Sequence, residues 1–250
     1  MGDHGVEALL RIGDSCLVLA QRLTAWCGHA PALEEDIALA NVALDLLGQA
    51  RGLLTRAGEL EGAGRDEDAL AYLRDDTEYR NLLLVEQPNG DFGNTMLRQL
   101  LFDAWAVELW PALAGSTDEV VAGVAAKAAK EAAYHLRHSS GWVVRLGDGT
   151  DESHRRMVDA LDRLWPYAAE AFLDDDLDVA AAEAGLVPLP STLLPAYRKR
   201  VEAVLHDATL PVPPDPWWQR GGRQGLHSEH LSLLLAEMQV VHRAHPGAEW

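Results

Sequence analysis

The sequence predicts an all-α protein. Three observations carry this: apolar residues recur at spacings of three and four along most of the chain, long runs of Ala, Leu, Glu and Lys pass without an interior proline, and no convincing strand pattern occurs. The clearest run is Val124 to Leu146, where no Pro and no Gly before Gly141 interrupts the strong helix formers.

Residues 8–27 place Leu9, Ile12, Cys16, Leu19, Ala20, Leu23 and Trp26 on one face of a first helix, which Gly28, His29 and Pro31 break. A second helix over about 33–60 opens on Glu34, Glu35 and Asp36, charges that suit the positive end of its dipole. Its expected core stripe is Ile37, Ala40, Leu44, Leu47, Arg51 and Leu54, with Asp45 beside it. These two helices form an antiparallel hairpin. Residues 61–66 are a polar connection to a short helix over 67–74 and a turn at Asp75 to Thr77; Pro88, Asn89 and Gly90 mark another tight turn. A third long helix over about 95–113 carries Met96, Leu97, Leu100, Leu101, Ala104 and Trp105, and the run 124–146 is the fourth, ended by Gly147, Asp148 and Gly149.

A fifth helix over 151–172 kinks or splits at Pro166. A short helix over 178–184 and a further one over 193–208 lead to LPVPPDPWWQRGGRQG, too rich in Pro and Gly for regular structure. The last helix runs over 225–243 with His227, Leu231, Leu234, Leu235 and Met238 on one face. Helices one and two resemble helices three and four weakly, as the halves of a duplicated bundle would. The expected architecture is therefore a ferritin-like four-helix bundle with extra C-terminal helices, one domain over 1–250 with its core at about 8–172 and its C-terminal helices and arm at about 173–250.

Composition narrows the function. With 250 residues and 48% hydrophobic content the chain can bury a core without staples. Cys16 and Cys27 lie eleven apart, about three helical turns and too far to bridge, so buried reduced thiols and a cytoplasmic home are expected. No apolar run nears the roughly 20 residues of a membrane span, and MGDHGVEALL lacks a basic then apolar leader. The expectation is no membrane and no export. A net charge of −18 argues against a nucleic-acid partner. Positive charge is carried almost wholly by arginine, the lysines being Lys127, Lys130 and Lys199.

A carboxylate-bridged di-iron site in such a bundle needs Glu-x-x-His pairs and further carboxylates converging between helices. Glu131 and His135 share a face of the fourth helix, but three residues before His135 stands Ala132, which ligates nothing. In the second helix the corresponding pair is Asp45 and Gly48. Asp14 and Glu108 could supply the remaining carboxylates, leaving Asp14, Asp45, Glu108 and His135, with Glu131 beside them, as the whole possible set. Pairing among these groups, Asp45 with His135 for example, is the competing reading, because a buried charge must find a partner. His227 and His230, and His242 and His245, repeat a three-residue spacing that metal sites use and that surface histidines also show. No nucleophile elbow, phosphate-binding loop, dinucleotide fingerprint or HExxH zinc motif occurs.

The runs CGHAPALEEDIALANVALDLLGQAR, NLLLVEQPNGDF, DAWAVELW, KAAKEAAYHLRHSSGWVVRLGDGTD and GGRQGLHSEHLSLLLAEMQ, in that order, resemble the C-component family of bacterial phenylacetyl-CoA epoxidases. The resemblance covers almost the whole chain. It implies a ferritin-like structural subunit with no cofactor of its own, in partnership with a homologous catalytic subunit, the A component, that holds the di-iron centre. It further implies a small third subunit, the B component, and a reductase component, the complex epoxidising the ring of phenylacetyl-CoA. Gly48 and Ala132 agree with that reading.

Contact between this chain and the acyl-CoA has two candidate places. One is the corner Glu78, Tyr79, Arg80 and Asn81, where exposed backbone N–H groups, an Arg and an aromatic ring could meet a nucleotide. The other is Val179, Ala180 and Ala181, small enough to admit a ligand to the backbone near a helix start. Among the eight tryptophans, Trp105, Trp110, Trp142, Trp217, Trp218 and Trp250 include candidate interface anchors. A free-standing acyl-CoA-binding protein and an oxygenase with an irregular metal site are the alternatives.

Overall fold

The computed structural model describes residues 3–248, so Trp250 lies outside the described residues. Among them ten α-helices and no strand are formed: α1 (Asp3–Thr24), α2 (Leu33–Glu61), α3 (Glu67–Tyr72), α4 (Leu83–Glu86), α5 (Phe92–Leu113), α6 (Glu119–Gly147), α7 (Asp151–Leu164), α8 (Asp176–Glu183), α9 (Leu194–Asp207) and α10 (Glu229–Ala244). The fold is all-α and consistent with a ferritin-like helical bundle. Two compact units make it up, residues 1–88 with 220–250, and residues 89–219.

The first unit is built on the hairpin of α1 and α2. From Ala8 to Ala20 every residue of α1 is buried, so this helix is core on all sides. It meets α2 through Leu39, Val42, Ala43, Leu46, Gln49, Ala50, Leu53, Leu54 and Ala57, a repeat of three and four. That is not the expected stripe. Ile37 and Leu44 are 54% and 65% exposed, and Arg51 is exposed too, because α2 is apolar on two faces and the periodicity alone does not say which faces inward. By length and composition α2 is also, among the described helices, the one apolar enough to cross a membrane. Cys27 corrects a second expectation: α1 ends at Thr24, so Cys27 falls in the following turn and is exposed, while Cys16 is buried.

Local chemistry sets the other ends. Gly62 closes α2 in the left-handed region at φ +68°. Asp66 caps α3 by accepting from the Ala69 N–H, and Ser228 caps α10. His227 therefore precedes α10 instead of sharing a helical face with His230. The chain from 210 to 221 has no regular structure, as its prolines require. At its end Gly222 lies so close to Asn81 that a Cβ would sit 2.3 Å from that carbonyl oxygen.

The second unit is built on the hairpin of α5 and α6, with α7 and α9 packed on it. Residues Gly93 to Ala106 of α5 are buried without interruption. Asp91, Asp118, Thr150 and Asp175 cap α5, α6, α7 and α8 in turn. The fifth predicted helix does split at its proline: α7 stops at Leu164, and 3₁₀ turns at Trp165–Tyr167 and Glu170–Phe172 follow. Trp105 and Trp110 are core; Trp217 is 81% exposed.

The interaction that fixes the first unit is ionic. Asp14 of α1 is fully buried and is bound bidentately by Arg74, itself 2% exposed, with Nη1 to Oδ2 at 3.0 Å. The backbone N–H of Arg80 donates to the same Oδ2 at 2.9 Å. Replacing one partner leaves the other charge buried and alone. Asp14→Asn is expected to lower the unfolding free energy by about 3–5 kcal/mol, read as a fall in the urea midpoint; a change under about 0.5 kcal/mol would show that the pair contributes nothing net.

Candidate functional site

The polar groups inside each hairpin are the place to look for chemistry. On α1 and α2 the inward residues that meet are Cys16 and Gln49, 33 residues apart, the thiol donating to Gln49 Oε1 at 3.7 Å. Burial, with the charge of Asp14 second, pushes the Cys16 thiol well above its usual range, so it stays protonated. Leu46 stands three residues before Gln49 and is buried. Gly48, taken from the sequence as the vacant ligand position, is instead exposed, with nothing within 4 Å of an added Cβ. The inward pair at that level of α2 is Leu46 and Gln49, one residue along from Asp45 and Gly48.

On α5 and α6 the buried polar pair is Asp103 and His135, 32 residues apart in sequence. Asp103 accepts from Gln99 Nε2 and from the Ser139 hydroxyl, each at 2.7 Å. Burial raises its carboxyl to about 6, against the pull of His135 and of those two hydrogen bonds. Ala132 is buried beside His135, as the sequence reading required.

The remaining candidate ligands have other surroundings. Asp14 is held by Arg74. Glu108 pairs with Arg200 of α9, and Glu131 with Lys127 one turn away at 3.2 Å. Asp45 is half-buried on α2. No group of three or more His, Cys, Asp and Glu that could hold a metal occurs among the described residues. Tested against a carboxylate-bridged metal pair, the donors do not fit: a protonated thiol and an amide occupy one hairpin, and a carboxylate with both oxygens already accepting occupies the other.

The corner at 78–81 is more committed than its sequence implied. Glu78 is exposed, and its carboxylate accepts from the Asp75 N–H at 2.8 Å. Tyr79 is fully buried, with its hydroxyl donating to the Ala71 carbonyl and Arg74 4.4 Å above its ring. Arg80 donates through Nε to Glu7 at 2.8 Å and through Nη1 to the Thr77 and Tyr79 carbonyls at 2.9 Å. Asn81 is buried and donates to Glu86 Oε2 at 3.0 Å. The backbone N–H groups expected to be open are not: those of Glu78, Tyr79 and Arg80 donate to Asp75, Asp76 and Asp14. On α8, Val179 is 42% exposed, Ala180 half-buried and Ala181 buried.

Glu86 was not singled out by sequence reasoning, yet it organises a second buried cluster. It is fully buried; Oε1 accepts from the Ser228 N–H at 2.6 Å and Oε2 from Asn81 and from His227 Nδ1 at 2.8 Å. The other ring nitrogen of His227 faces the Tyr79 carbonyl at 3.0 Å. Both ring nitrogens are thus engaged within this cluster. The pair His227 and His230 is accordingly no metal clamp. The signal that was available is a lone Glu inside LLLVEQ, an apolar run that must give it a partner.

What these features define is a class: an all-helical protein of two helical hairpins whose buried polar groups answer one another within each hairpin's own unit. The chain matches the family model described as phenylacetic acid catabolic protein over residues 2–250. It is 53% identical over 241 residues, 96% of this chain and 97% of the relative, to the C component of the 1,2-phenylacetyl-CoA epoxidase of Escherichia coli (strain K12). The chain belongs to the phenylacetic acid catabolic protein family.

Asp103 gives a pH test. Its folded pKa of about 6 lies above the ordinary 3.8, so between about pH 4 and 6 the folded chain holds a proton that the unfolded chain has lost. Stability therefore falls as pH rises through that window, by roughly 3 kcal/mol at most. Asp103→Asn is expected to remove this slope and raise stability at neutral pH, because Gln99 Oε1, buried without a partner, can turn to accept from the new amide. Urea unfolding at pH 4 and pH 7.5 checks it, and an Asn variant that keeps the wild-type slope contradicts the assignment.

Proposed function

We propose that this chain is the structural, metal-free member of a multicomponent phenylacetyl-CoA ring 1,2-epoxidase acting in aerobic phenylacetate degradation in the cytoplasm. Catalysis belongs to a homologous di-iron subunit, the A component, assisted by a small B component and fed electrons by a reductase. The observation that carries the reading is the pair of hairpin centres, where Cys16, Leu46 and Gln49 on one side and Asp103, Ala132 and His135 on the other replace the carboxylate-rich set iron requires.

Two further features support it. Large apolar side chains stay exposed on α2 (Leu33, Ile37, Leu44) and on and before α10 (Leu226, Leu233, Val240), and these are surfaces a partner chain could cover. Family membership supplies the type of assembly. For phenylacetyl-CoA each unit offers its own candidate place: in the first the corner Glu78, Tyr79, Arg80 and Asn81, where Glu78 is the exposed side chain, and in the second the segment Val179, Ala180 and Ala181, where Val179 is.

The experiment is metal analysis of the chain purified alone and of the complex it forms. The expected result is no stoichiometric iron in the isolated chain and co-elution with a related helical chain carrying intact Glu-x-x-His pairs and about two irons. Two irons in the isolated chain, or failure to co-elute with any such partner, overturns the reading.

A further inference from the structure

In the second unit α6 and α9 wall a cleft of about 700 Å³, with Glu108 of α5 at its edge. That volume lies inside the range of roughly 300–1,000 Å³ typical of small-molecule sites. Three cations line it, Arg137 from α6 and Lys199 and Arg200 from α9, against the one carboxylate. This concentration runs against the chain as a whole, which has 39 acidic to 21 basic residues. Two of the three, Lys199 and Arg200, belong to the sole run of three Lys and Arg residues in the sequence, Arg198 to Arg200.

The partners of these cations leave capacity over. Arg200 commits Nε and Nη2 to a single oxygen of Glu108, at 3.1 and 2.5 Å. Arg137 lies 5.2 Å over the ring of Tyr134, which does not neutralise it. Lys199 forms no ion pair among the described residues. Three cations less one carboxylate leave an excess of two positive charges. The rest of the lining is largely apolar, with Ala133, Leu136, Ala196 and Ala203 among it, and Ser140 adds one neutral hydrogen-bonding group.

We infer that this cleft binds a phosphate monoester carrying a compact apolar or aromatic body. The dianion matches the charge excess, guanidinium groups suit phosphate oxygens, and the apolar lining offers contact to a body that inorganic phosphate lacks. The cleft shares no residue with the corner at 78–81 or with α8, and the inference does not rest on the proposed epoxidase role.

The test titrates the full chain at about 0.15 M salt with phenyl phosphate and, separately, with inorganic phosphate, by calorimetry. Saturable binding of phenyl phosphate is expected, about tenfold tighter than inorganic phosphate, with Arg137→Ala and Lys199→Ala each weakening it about fivefold or more. Both residues are exposed, so the variants should melt as the wild type does. Arg198→Ala, which removes a partner of Asp215 outside the cleft, should leave affinity unchanged. No saturable binding, equal affinity for the two probes, or unchanged affinity in both cleft variants overturns the inference.

Discussion

Asp14 sits with no solvent exposure in a helix whose neighbours on both sides are core, and its charge is met by Arg74, sixty residues later. A buried carboxylate is tolerated only where opposite charge or several donors reach it. That requirement fixes more than one residue. It holds the segment from Arg74 to Arg80 against α1, and with it the capping box at Asp75 and Glu78 and the buried ring of Tyr79. Glu86 acts likewise across 141 residues, fastening the chain before α10 through His227 and the Ser228 N–H. In the second unit the same demand is met differently. No Arg or Lys reaches Asp103, and burial instead raises its affinity for a proton.

A metal ion bound by carboxylates competes for the same lone pairs. Asp14 gives one oxygen to Arg74 and the other to Arg74 and the Arg80 N–H. Glu86 gives one to Ser228 and the other to His227 and Asn81. Asp103 divides its two between Gln99 and Ser139. Six oxygens that could bridge iron therefore already accept within their own units, and recruiting any of them would leave a buried donor unsatisfied at a cost of about 1–3 kcal/mol or more. The chemistry of the hairpins is that of a core held together by polar pairs.

Helix positions were legible in the sequence because period and caps are local. Asp66 and Thr150 stand one residue before the predicted starts and Asp91 and Ser228 within four residues of them, while Asp118 starts its helix six residues early; Pro166 splits its helix. What the sequence left undecided was which face of a helix turns inward. On α2 both Ile37–Leu44 and Leu39–Leu46–Leu53 make apolar rows, and choosing the wrong row moved the candidate ligand pair to Asp45 and Gly48, away from Leu46 and Gln49. Partners distant in the chain were equally hidden. Nothing in LLVEQ names His227, and nothing in the turn at 78–81 shows that its N–H groups are consumed by Asp75, Asp76 and Asp14. His135 over Ala132 was readable since α6 has one clear inward face.

The second apolar row of α2 also explains why that helix alone, among those described, has the length and composition of a membrane span. One row is consumed by α1. The other, from Leu33 through Ile37 to Leu44, remains open, and Gly48 extends it with a surface on which no side chain stands. Exposing such residues lowers solubility, and a charge at 37 or 44 would remove the liability without touching the core row. This open row, beside hairpin centres whose carboxylates are occupied by their own neighbours, is the surface that the proposed supporting role would use.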